Sequence, residues 1–387
     1  MIQNKIKIAF ISNGFGLSPV MSGGEIRLFN LLKRLPSNFE AVLYTTEGGI
    51  IAAKNYPGLA KLRLRLIKSS YLFKTEAIGF QRLLGYIVSA FNCAKVLSSE
   101  SFDMVYTSSD FFCDTLPAYF AAKKTKCKWI AMTHHKYNSP MKRPGNFINN
   151  VILYLIQAFS FSLIAKRASA LLTLETEAGD EIKATLLARG FKGHCFSVRN
   201  GVEIIKKTTF KKNKKLAVYI GGLRPSKGLY DIAPIWQKVS AAGAYQLVVI
   251  GKGSASDMEF LRKDILKNGL EKAVTIVGYA EHSKLKKYLS EAFLFFLPSH
   301  EEGWGISVIE ALMYGNKVVV YDLPAFKVFG KWVKRIKCFN KEEYAKAVIS
   351  AFKLSKPQKV PMTFINKYNW DTIAKTEFTT LEKIHTP

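Results

Sequence analysis

Short apolar runs alternate with segments of helical periodicity along the whole chain. Such runs are typical of strands buried on both faces of a parallel sheet, and their alternation with helices predicts a doubly wound α/β fold. In the first half, strands are predicted over residues 6–12, 41–45, 62–67, 104–107, 129–133 and 170–174, and helices over 25–35, 76–97 and 147–167. The second half restarts the pattern, with strands predicted over residues 216–220, 246–250, 274–277, 293–297 and 317–321 and a weaker one near Ile336.

The chain has 387 residues, which is more than one hydrophobic core usually supports, so two domains are expected. A polar and strongly basic segment, residues 206–215, separates the two alternating halves and fits a solvated linker. We therefore predict a first domain over residues 1–203 and a second over residues 204–368. Two α/β domains joined in this way form a cleft, which is a usual location for a ligand.

The most informative segment is residues 299–315, SHEEGWGISVIEALMYG, which follows a predicted strand after one proline. Open α/β sheets bind ligands at the carboxyl edge of their strands. Gly303 and Gly305 leave room for a ligand to approach the backbone, and a helix starting near Ile306 would direct its N–H groups at an anion. Glu310 lies on the apolar stripe of that helix, where a carboxylate is costly unless it is hydrogen-bonded. The vicinal hydroxyls of a ribose would satisfy it, as would a neighbouring loop if the carboxylate is structural.

Charge and cysteine usage restrict the possible partners and the compartment. The chain carries 57 Lys and Arg against 29 Asp and Glu, and the excess of 28 is shared equally by the two halves. The candidate partners are nucleic acid, an anionic membrane surface or phosphate-bearing substrates, although a chain can also be simply lysine-rich. The five widely spaced cysteines argue against a disulfide framework or zinc site and favour the reducing cytoplasm. The first apolar run is too short for a signal peptide.

Two glutamates in this segment carry a family resemblance. Glu302 and Glu310 enclose seven residues, as in the E-x7-E motif, and EGWGISVIEAL resembles the EGFG-x4-EA core of glycosyltransferase family 4. The resemblance implies a retaining GT-B glycosyltransferase, built from two Rossmann-like domains that face a cleft. It also implies that Glu302 contacts the donor sugar near the reacting carbon and that Glu310 holds the nucleotide ribose. The amides of Gly303, Trp304 and Gly305 would touch sugar or phosphate.

Further segments of the first domain resemble the same family. Gly23 and Gly24 match the Gly-Gly loop after the first strand and would lie beside the donor phosphate or the acceptor; an ordinary βα turn is the alternative. His134, at the end of a predicted strand, matches the histidine that touches the donor sugar. A histidine at a strand end can also be structural, and this alternative applies to His134 and to the adjacent His135. Residues 198–202, VRNGV, resemble the element that ends this domain, and residues 369–387 the last helix, which packs back on it.

The second domain contributes the expected diphosphate and base contacts. Residues 219–228, YIGGLRPSKG, resemble a phosphate-binding turn in which Lys227 matches the lysine that neutralises the diphosphate. The family's arginine is replaced by Gly222, and Arg224 two positions later is the candidate to replace it. Residues 277–280, VGYA, resemble the loop whose backbone reads the base, which implicates Gly278 and Tyr279. Residues 249–253 resemble the VGxG turn.

The expected reaction needs neither a metal nor a bound cofactor. No H-x-x-H, H-E-x-x-H or D-x-D string occurs, so Lys and Arg are expected to neutralise the diphosphate. The resemblance implies transfer of a hexose-type sugar from a UDP- or GDP-sugar to a hydroxyl acceptor, which we expect to be a lipid-linked or cell-envelope glycan. Two alternatives remain open: a glycosyltransferase that modifies DNA bases, and an epimerase of the same architecture that acts on a nucleotide sugar without transferring it.

An uncharged segment over residues 147–165 is relevant to the nature of the acceptor. Its length would permit a membrane span, but its Asn, Gln and Ser residues argue against one. It is either a helix buried in the first domain or a helix that lies on a membrane surface, where the basic runs at residues 61–68 and 123–128 would add attraction to anionic lipid. The second possibility predicts a cytoplasmic protein with peripheral membrane contact. Nucleic acid is a less favoured partner because no recognition motif is present.

Overall fold

A computed structural model describes residues 5–69, 80–205 and 210–386. The first residues of the helix predicted from position 76 and part of the basic segment 206–215 lie outside these ranges. The contacts divide the chain into two compact units. Unit 1 comprises the residues up to Tyr137, Val151–Gly201 and the segment from Trp370 onward, and unit 2 comprises Asn138–Asn150 and Val202–Asn369. The predicted boundaries after residues 203 and 368 remain predictions.

Unit 1 contains a parallel sheet of seven strands in the order β3-β2-β1-β4-β5-β6-β7. The strands are β1 Ile6–Ser12, β2 Phe39–Thr45, β3 Arg63–Leu66, β4 Met104–Thr107, β5 Lys128–Thr133, β6 Ala170–Leu174 and β7 His194–Val198. The four central strands β1, β4, β5 and β6 are almost entirely buried, which explains their continuous apolar runs. Strand β7 was not predicted, because its sequence HCFSV is only partly apolar and it lies half exposed at the edge of the sheet.

The helices of unit 1 connect these strands in turn. They are α1 Gly23–Leu32, α2 Glu47–Asn55, α3 Phe80–Leu97, α4 Phe112–Thr125, α5 Phe147–Arg167, α6 Glu177–Ala188 and, at the end of the chain, α13 Trp370–His385. Helix α5 begins in the segment assigned to unit 2 and continues through unit 1. Within the described ranges it is the one helix long and apolar enough to cross a membrane.

Unit 2 contains a second parallel sheet, of six strands in the order β10-β9-β8-β11-β12-β13. Its strands are β8 Asn213–Ile220, β9 Gln246–Ile250, β10 Val274–Gly278, β11 Ala292–Leu297, β12 Lys317–Tyr321 and β13 Lys334–Ile336. Its helices are α7 Ile232–Ala241, α8 Ala255–Lys267, α9 His282–Glu291, α10 Ile306–Met313, α11 Lys341–Phe352 and α12 Met362–Ile365. Strand β11 is buried along its whole length, as its apolar run predicted. The predicted class, α/β with two Rossmann-like parallel sheets, is confirmed.

Candidate active site

The loop after β11 is positioned by a glycine that no other residue could replace without strain. Gly305 has φ of 97° and precedes α10 directly, and a Cβ there would lie 2.8 Å from the ring of Phe326. L-residues rarely adopt this backbone conformation. The side chains of Ser299, His300 and Glu301 are buried, so this loop is part of the packed structure. No described side chain caps the N-terminus of α10, which leaves its first amides available to an anion.

Lys227 and Glu302 form an ion pair at this edge of the sheet. The distance from Lys227 Nζ to Glu302 Oε2 is 2.7 Å, and Nζ also donates to the Glu301 carbonyl over 2.9 Å. The second oxygen of Glu302 accepts a hydrogen bond of 3.0 Å from Ser299 Oγ. Burial lowers the pKa of Lys227 and Arg224 lowers it further, while Glu302 opposes the change. Two residues predicted to act on one donor molecule are therefore in direct contact.

The turn that carries Lys227 fits closely against the end of β11. Pro225–Lys227 form one turn of 3-10 helix, and the Ser226 carbonyl accepts hydrogen bonds from the amides of His300 and Glu301. Gly228 has φ of 80°, and a Cβ there would lie 2.1 Å from the Pro298 carbonyl oxygen. This contact explains why the KG pair ends the turn: only glycine lets the two backbones approach so closely.

Glu310 lies in a separate recess of unit 2. The recess is lined by one side of α10, by α9 and by the segment that begins at Val202. The lining includes Val202, Leu285, Lys286, Leu289, Glu310 and Tyr314. Burial raises the pKa of Glu310 to about 7, and Lys286 partly opposes that shift. In the described part of the chain no side chain hydrogen-bonds its carboxylate. The vicinal hydroxyls of a ligand can donate to both of its oxygens, as proposed for a ribose.

The other residues predicted for unit 2 lie around the same edge of the sheet. Gly278 ends β10 with φ of 77°, and its carbonyl accepts from the Gly251 amide, while the Tyr279 side chain is exposed. Arg224 is also exposed and is close enough to Lys227 to lower its pKa. The Trp304 ring is buried against Phe329 and Tyr368, with centroids 5.1 and 5.2 Å away. Because its side chain packs in the core, a contact with the donor at this position would be made by the backbone.

An ion pair that the sequence did not indicate supports the Glu302 loop. Arg143 Nε lies 2.9 Å from Glu301 Oε2, with both side chains largely buried, and the backbone N–H of Asn138 donates to Glu301 Oε1 over 3.2 Å. Both partners come from the segment 138–150, which packs with unit 2 although it follows β5 of unit 1 in the chain. Lysine- and arginine-rich loops are common, so the string MKRPG carries no signal of this contact.

In unit 1, the structure brings together the predicted residues His134, Gly23 and Gly24. The glycines are the first two residues of α1, whose N-terminus is closed by a capping box between Ser22 and Glu25. A Cβ on Gly24 would lie 3.0 Å from His134 Nε2, so the helix packs tightly on the imidazole. Nε2 lies 2.8 Å from the Ser108 carbonyl, and this bond needs a proton on Nε2.

Burial keeps His134 neutral. It lowers the pKa of the imidazole to about 4, and repulsion from Arg27 adds to the effect while the bond to Ser108 opposes it. With its proton held on Nε2, Nδ1 has a lone pair that can accept a hydrogen bond. His135 is placed differently, since its backbone carbonyl accepts from Gln157 and its ring lies beside Tyr137.

Two buried groups of unit 1 were not foreseen from the sequence. Asp114 accepts hydrogen bonds from the backbone N–H of Asn13 over 2.7 Å and from Ser109 Oγ over 2.7 Å, and burial raises its pKa to about 7. These contacts join the carboxyl ends of β1 and β4. Arg27 of α1 pairs with Glu377 of α13, and both are almost fully buried. Both sets tie together residues far apart in the chain, which a pattern within one segment cannot reveal.

No group of three or more His, Cys, Asp or Glu side chains within the described ranges could hold a metal ion.

Comparison with known proteins agrees with this arrangement. Residues 202–366 match the family described as glycosyl transferases group 1. These residues are a glycosyl transferases group 1 domain. The domain contains Lys227, Glu302 and Glu310, and it coincides closely with the part of unit 2 that follows Gly201.

Curated relatives resemble part of the chain. The chain is 28% identical over 188 residues to the O-antigen chain mannosyltransferase RfbU of Salmonella typhimurium, covering 48% of this chain and 50% of the relative. It is 24% identical over 204 residues to a GDP-mannose:cellobiosyl-diphosphopolyprenol alpha-mannosyltransferase of Xanthomonas oryzae, covering 51% and 53%. The chain thus spans about half the length of these relatives.

A solved structure resembles the whole chain. HepE of Anabaena, in complex with UDP and glucose, superposes with a TM-score of 0.74 at 14% identity, covering 98% of this chain and all of that one. This likeness shows the fold, and it confirms the GT-B class expected around the glycosyl transferases group 1 domain.

Proposed function

We propose that the protein is a retaining glycosyltransferase that moves a hexose-type sugar from a nucleotide-diphosphate sugar to a hydroxyl acceptor. The observation that carries the proposal is the Lys227–Glu302 pair at the carboxyl edge of a parallel sheet, within a glycosyl transferases group 1 domain. The half-buried Glu310 carboxylate, which has no hydrogen-bond partner among the described residues, supports it, because a ribose supplies two hydroxyl donors. The residues Gly278, Tyr279, Gly303, Trp304 and Gly305 remain proposed donor contacts.

Lys227 is the proposed anchor for the diphosphate. An ammonium group has three N–H donors, of which two are directed at Glu302 and at the Glu301 carbonyl. The third can bind a phosphate oxygen while the first two hold the side chain in place. Arg224 and the first amides of α10 add positive potential where charge develops on the leaving phosphate.

The proposed chemistry proceeds on one face of the sugar. The bond between the anomeric carbon and the β-phosphate oxygen breaks, and the acceptor oxygen bonds to the same face of that carbon. The acceptor proton passes to the leaving phosphate, so no protein base is needed. Glu302 and His134 orient the donor, and His134 does so as a neutral imidazole that offers Nδ1 as an acceptor.

The nature of the acceptor rests on the relatives. RfbU is named for an O-antigen chain, and the Xanthomonas enzyme for a diphosphopolyprenol acceptor. We propose a lipid-linked or cell-envelope glycan, glycosylated at the cytoplasmic face of the membrane. The donor nucleotide is UDP or GDP, since one relative is named for GDP-mannose and HepE was solved with UDP.

A panel of UDP- and GDP-sugars tests the proposal. The folded protein should bind one member and hydrolyse it slowly without acceptor, and NMR of the transfer product should show the anomeric configuration of the donor. Lys227→Met should weaken both binding and hydrolysis, while Lys353→Met, on the exposed residue after α11, should change neither. Absence of binding to every nucleotide sugar, or an inverted product, would contradict the proposal.

A further inference from the structure

Helix α5 exposes a continuous apolar face. At 3.6 residues per turn, its exposed apolar side chains fall within about 160° of the helix circumference. They are Phe147, Ile148, Ile152, Tyr154, Leu155 and Phe159, which we call the α5 apolar face. Ile148 is 67% exposed and Leu155 is 60% exposed, which is unusual for side chains of this size on one side of a helix.

The opposite side of α5 is fixed to the α/β unit. Gln157 Nε2 donates to Asp110 Oδ2 over 2.7 Å and to the His135 carbonyl over 2.9 Å. Thr115 donates to Ser160 Oγ over 3.1 Å, and both hydroxyls are buried. A transmembrane position would break these bonds and leave polar groups in hydrocarbon, so the helix remains on the unit while its apolar face points outward. The two interpretations of residues 147–165, a helix buried in the domain and a helix on a membrane surface, thus each describe one side of α5.

The chain segment that contains α5 carries charge of one sign. Residues 115–174 contain nine Lys and Arg and no Asp or Glu. Lys142 precedes the helix and is exposed, and Lys166 and Arg167 end it, also exposed. Arg189, which follows α6, donates to the Ala158 carbonyl and to Ser162 Oγ at the border of the face. An apolar stripe edged by cations matches the boundary between acyl chains and anionic headgroups.

From this complementarity we infer that the α5 apolar face docks on the surface of a bilayer that contains anionic lipid, with Lys142, Lys166 and Arg167 at headgroup level. A second copy of the chain fits less well, because a symmetric contact would bring the same cations against one another. Nucleic acid would meet Phe, Ile and Leu side chains where it needs donors to phosphate. The inference deepens the proposed function by placing a lipid-linked acceptor at the surface on which the enzyme rests.

Sedimentation of the full chain with vesicles tests the inference, without donor present. Partition onto vesicles of phosphatidylcholine with phosphatidylglycerol should exceed that onto phosphatidylcholine alone at least tenfold, and salt should weaken it. Leu155→Glu should reduce binding at least tenfold. Leu266→Glu on α8, where the side chain is 64% exposed, is the matched control and should not reduce it. Lys166→Glu should reduce binding to anionic vesicles and leave binding to neutral ones unchanged.

Two outcomes would overturn the inference. One is equal vesicle binding by Leu155→Glu and the unaltered chain. The other is a concentration-dependent dimer, seen by analytical ultracentrifugation, that Leu155→Glu abolishes, since a second copy would then cover the face. Hydrolysis of free donor without vesicles should be unchanged in Leu155→Glu. If the protein binds a nucleotide sugar but not vesicles, the membrane inference fails and the proposed function stands. If it binds vesicles but no nucleotide sugar, the proposed function fails and the membrane inference stands.

Discussion

Replacing Glu310 with Gln tests the ribose assignment most directly. The substitution preserves shape but removes the charge that strengthens hydrogen bonds from two hydroxyls. Hydrogen bonds to a charged group contribute about 1.5–3 kcal/mol, so the dissociation constant for the donor should rise roughly ten- to a hundredfold. Isothermal titration calorimetry with the nucleotide sugar identified from the panel measures this change. Glu259→Gln, an exposed carboxylate on α8 of the same unit, is the matched control and should bind normally.

The pH dependence of binding gives a second, independent signature. Burial raises the pKa of Glu310 to about 7 in the free protein, and hydroxyl donors favour the ionised form. Affinity should therefore rise about tenfold between pH 6 and pH 8 and then level off, following the ionised fraction. A nucleotide sugar suits this experiment because both of its phosphates are esterified and do not titrate in that range. In Glu310→Gln the dependence should disappear.

The same shift predicts an opposite effect on stability. The folded pKa of Glu310 lies near 7 and the reference value is 4.5, so the folded state favours the protonated carboxyl. This difference lowers the free energy of unfolding by up to about 3 kcal/mol. The full reduction applies above about pH 7, and it disappears as the pH falls towards about 4.5. Glu310→Gln should thus unfold at a higher temperature than the unaltered protein at pH 8 and at nearly the same temperature at pH 4. Unchanged donor affinity together with unchanged stability at pH 8 would refute the assignment.

Other expectations follow from the contacts of the site. Gly228→Ala should lower both stability and activity strongly, whereas Gly269→Ala, at φ of 64° with open space around its Cα, should cost only about 1 kcal/mol of strain, as thermal unfolding would show. Arg143→Met leaves a buried carboxylate unpaired and should cost about 3–5 kcal/mol, against less than about 1 kcal/mol for Arg335→Met in a surface pair. His134→Gln should lower kcat/KM without moving its profile between pH 6 and pH 8, since the pKa of His134 is about 4. Turnover should survive EDTA, and loss of activity that Mg²⁺ restores would disprove charge neutralisation by Lys and Arg alone.

Features that depend on neighbouring residues were predictable from the sequence. Strands β4, β6, β9 and β12 have the bounds that their apolar runs indicate, because burial on both faces selects such runs. The unusual setting of Glu310 also follows from local periodicity, since its place on the apolar stripe of α10 is fixed by the helix repeat. Contacts between distant residues were not predictable. Arg27 contacts Glu377 across 350 positions and Arg143 contacts Glu301 across 158. The sequence around each of these residues gives no indication of its partner.

The two glutamates of the E-x7-E motif are prepared for their proposed tasks in different ways. Glu302 is held at both oxygens by Lys227 and Ser299, so its orientation is set before a donor arrives and little ordering remains to be done on binding. Glu310 has no such partner among the described residues, and desolvation raises the pKa of its carboxylate to about 7, so we expect the ionised group to lower the stability of the free protein at neutral pH. A ligand that supplies hydroxyl donors would stabilise the ionised carboxylate and so offset that cost. We therefore infer that Glu302 contributes to the geometry of the reacting carbon, whereas Glu310 contributes to the affinity for the nucleotide.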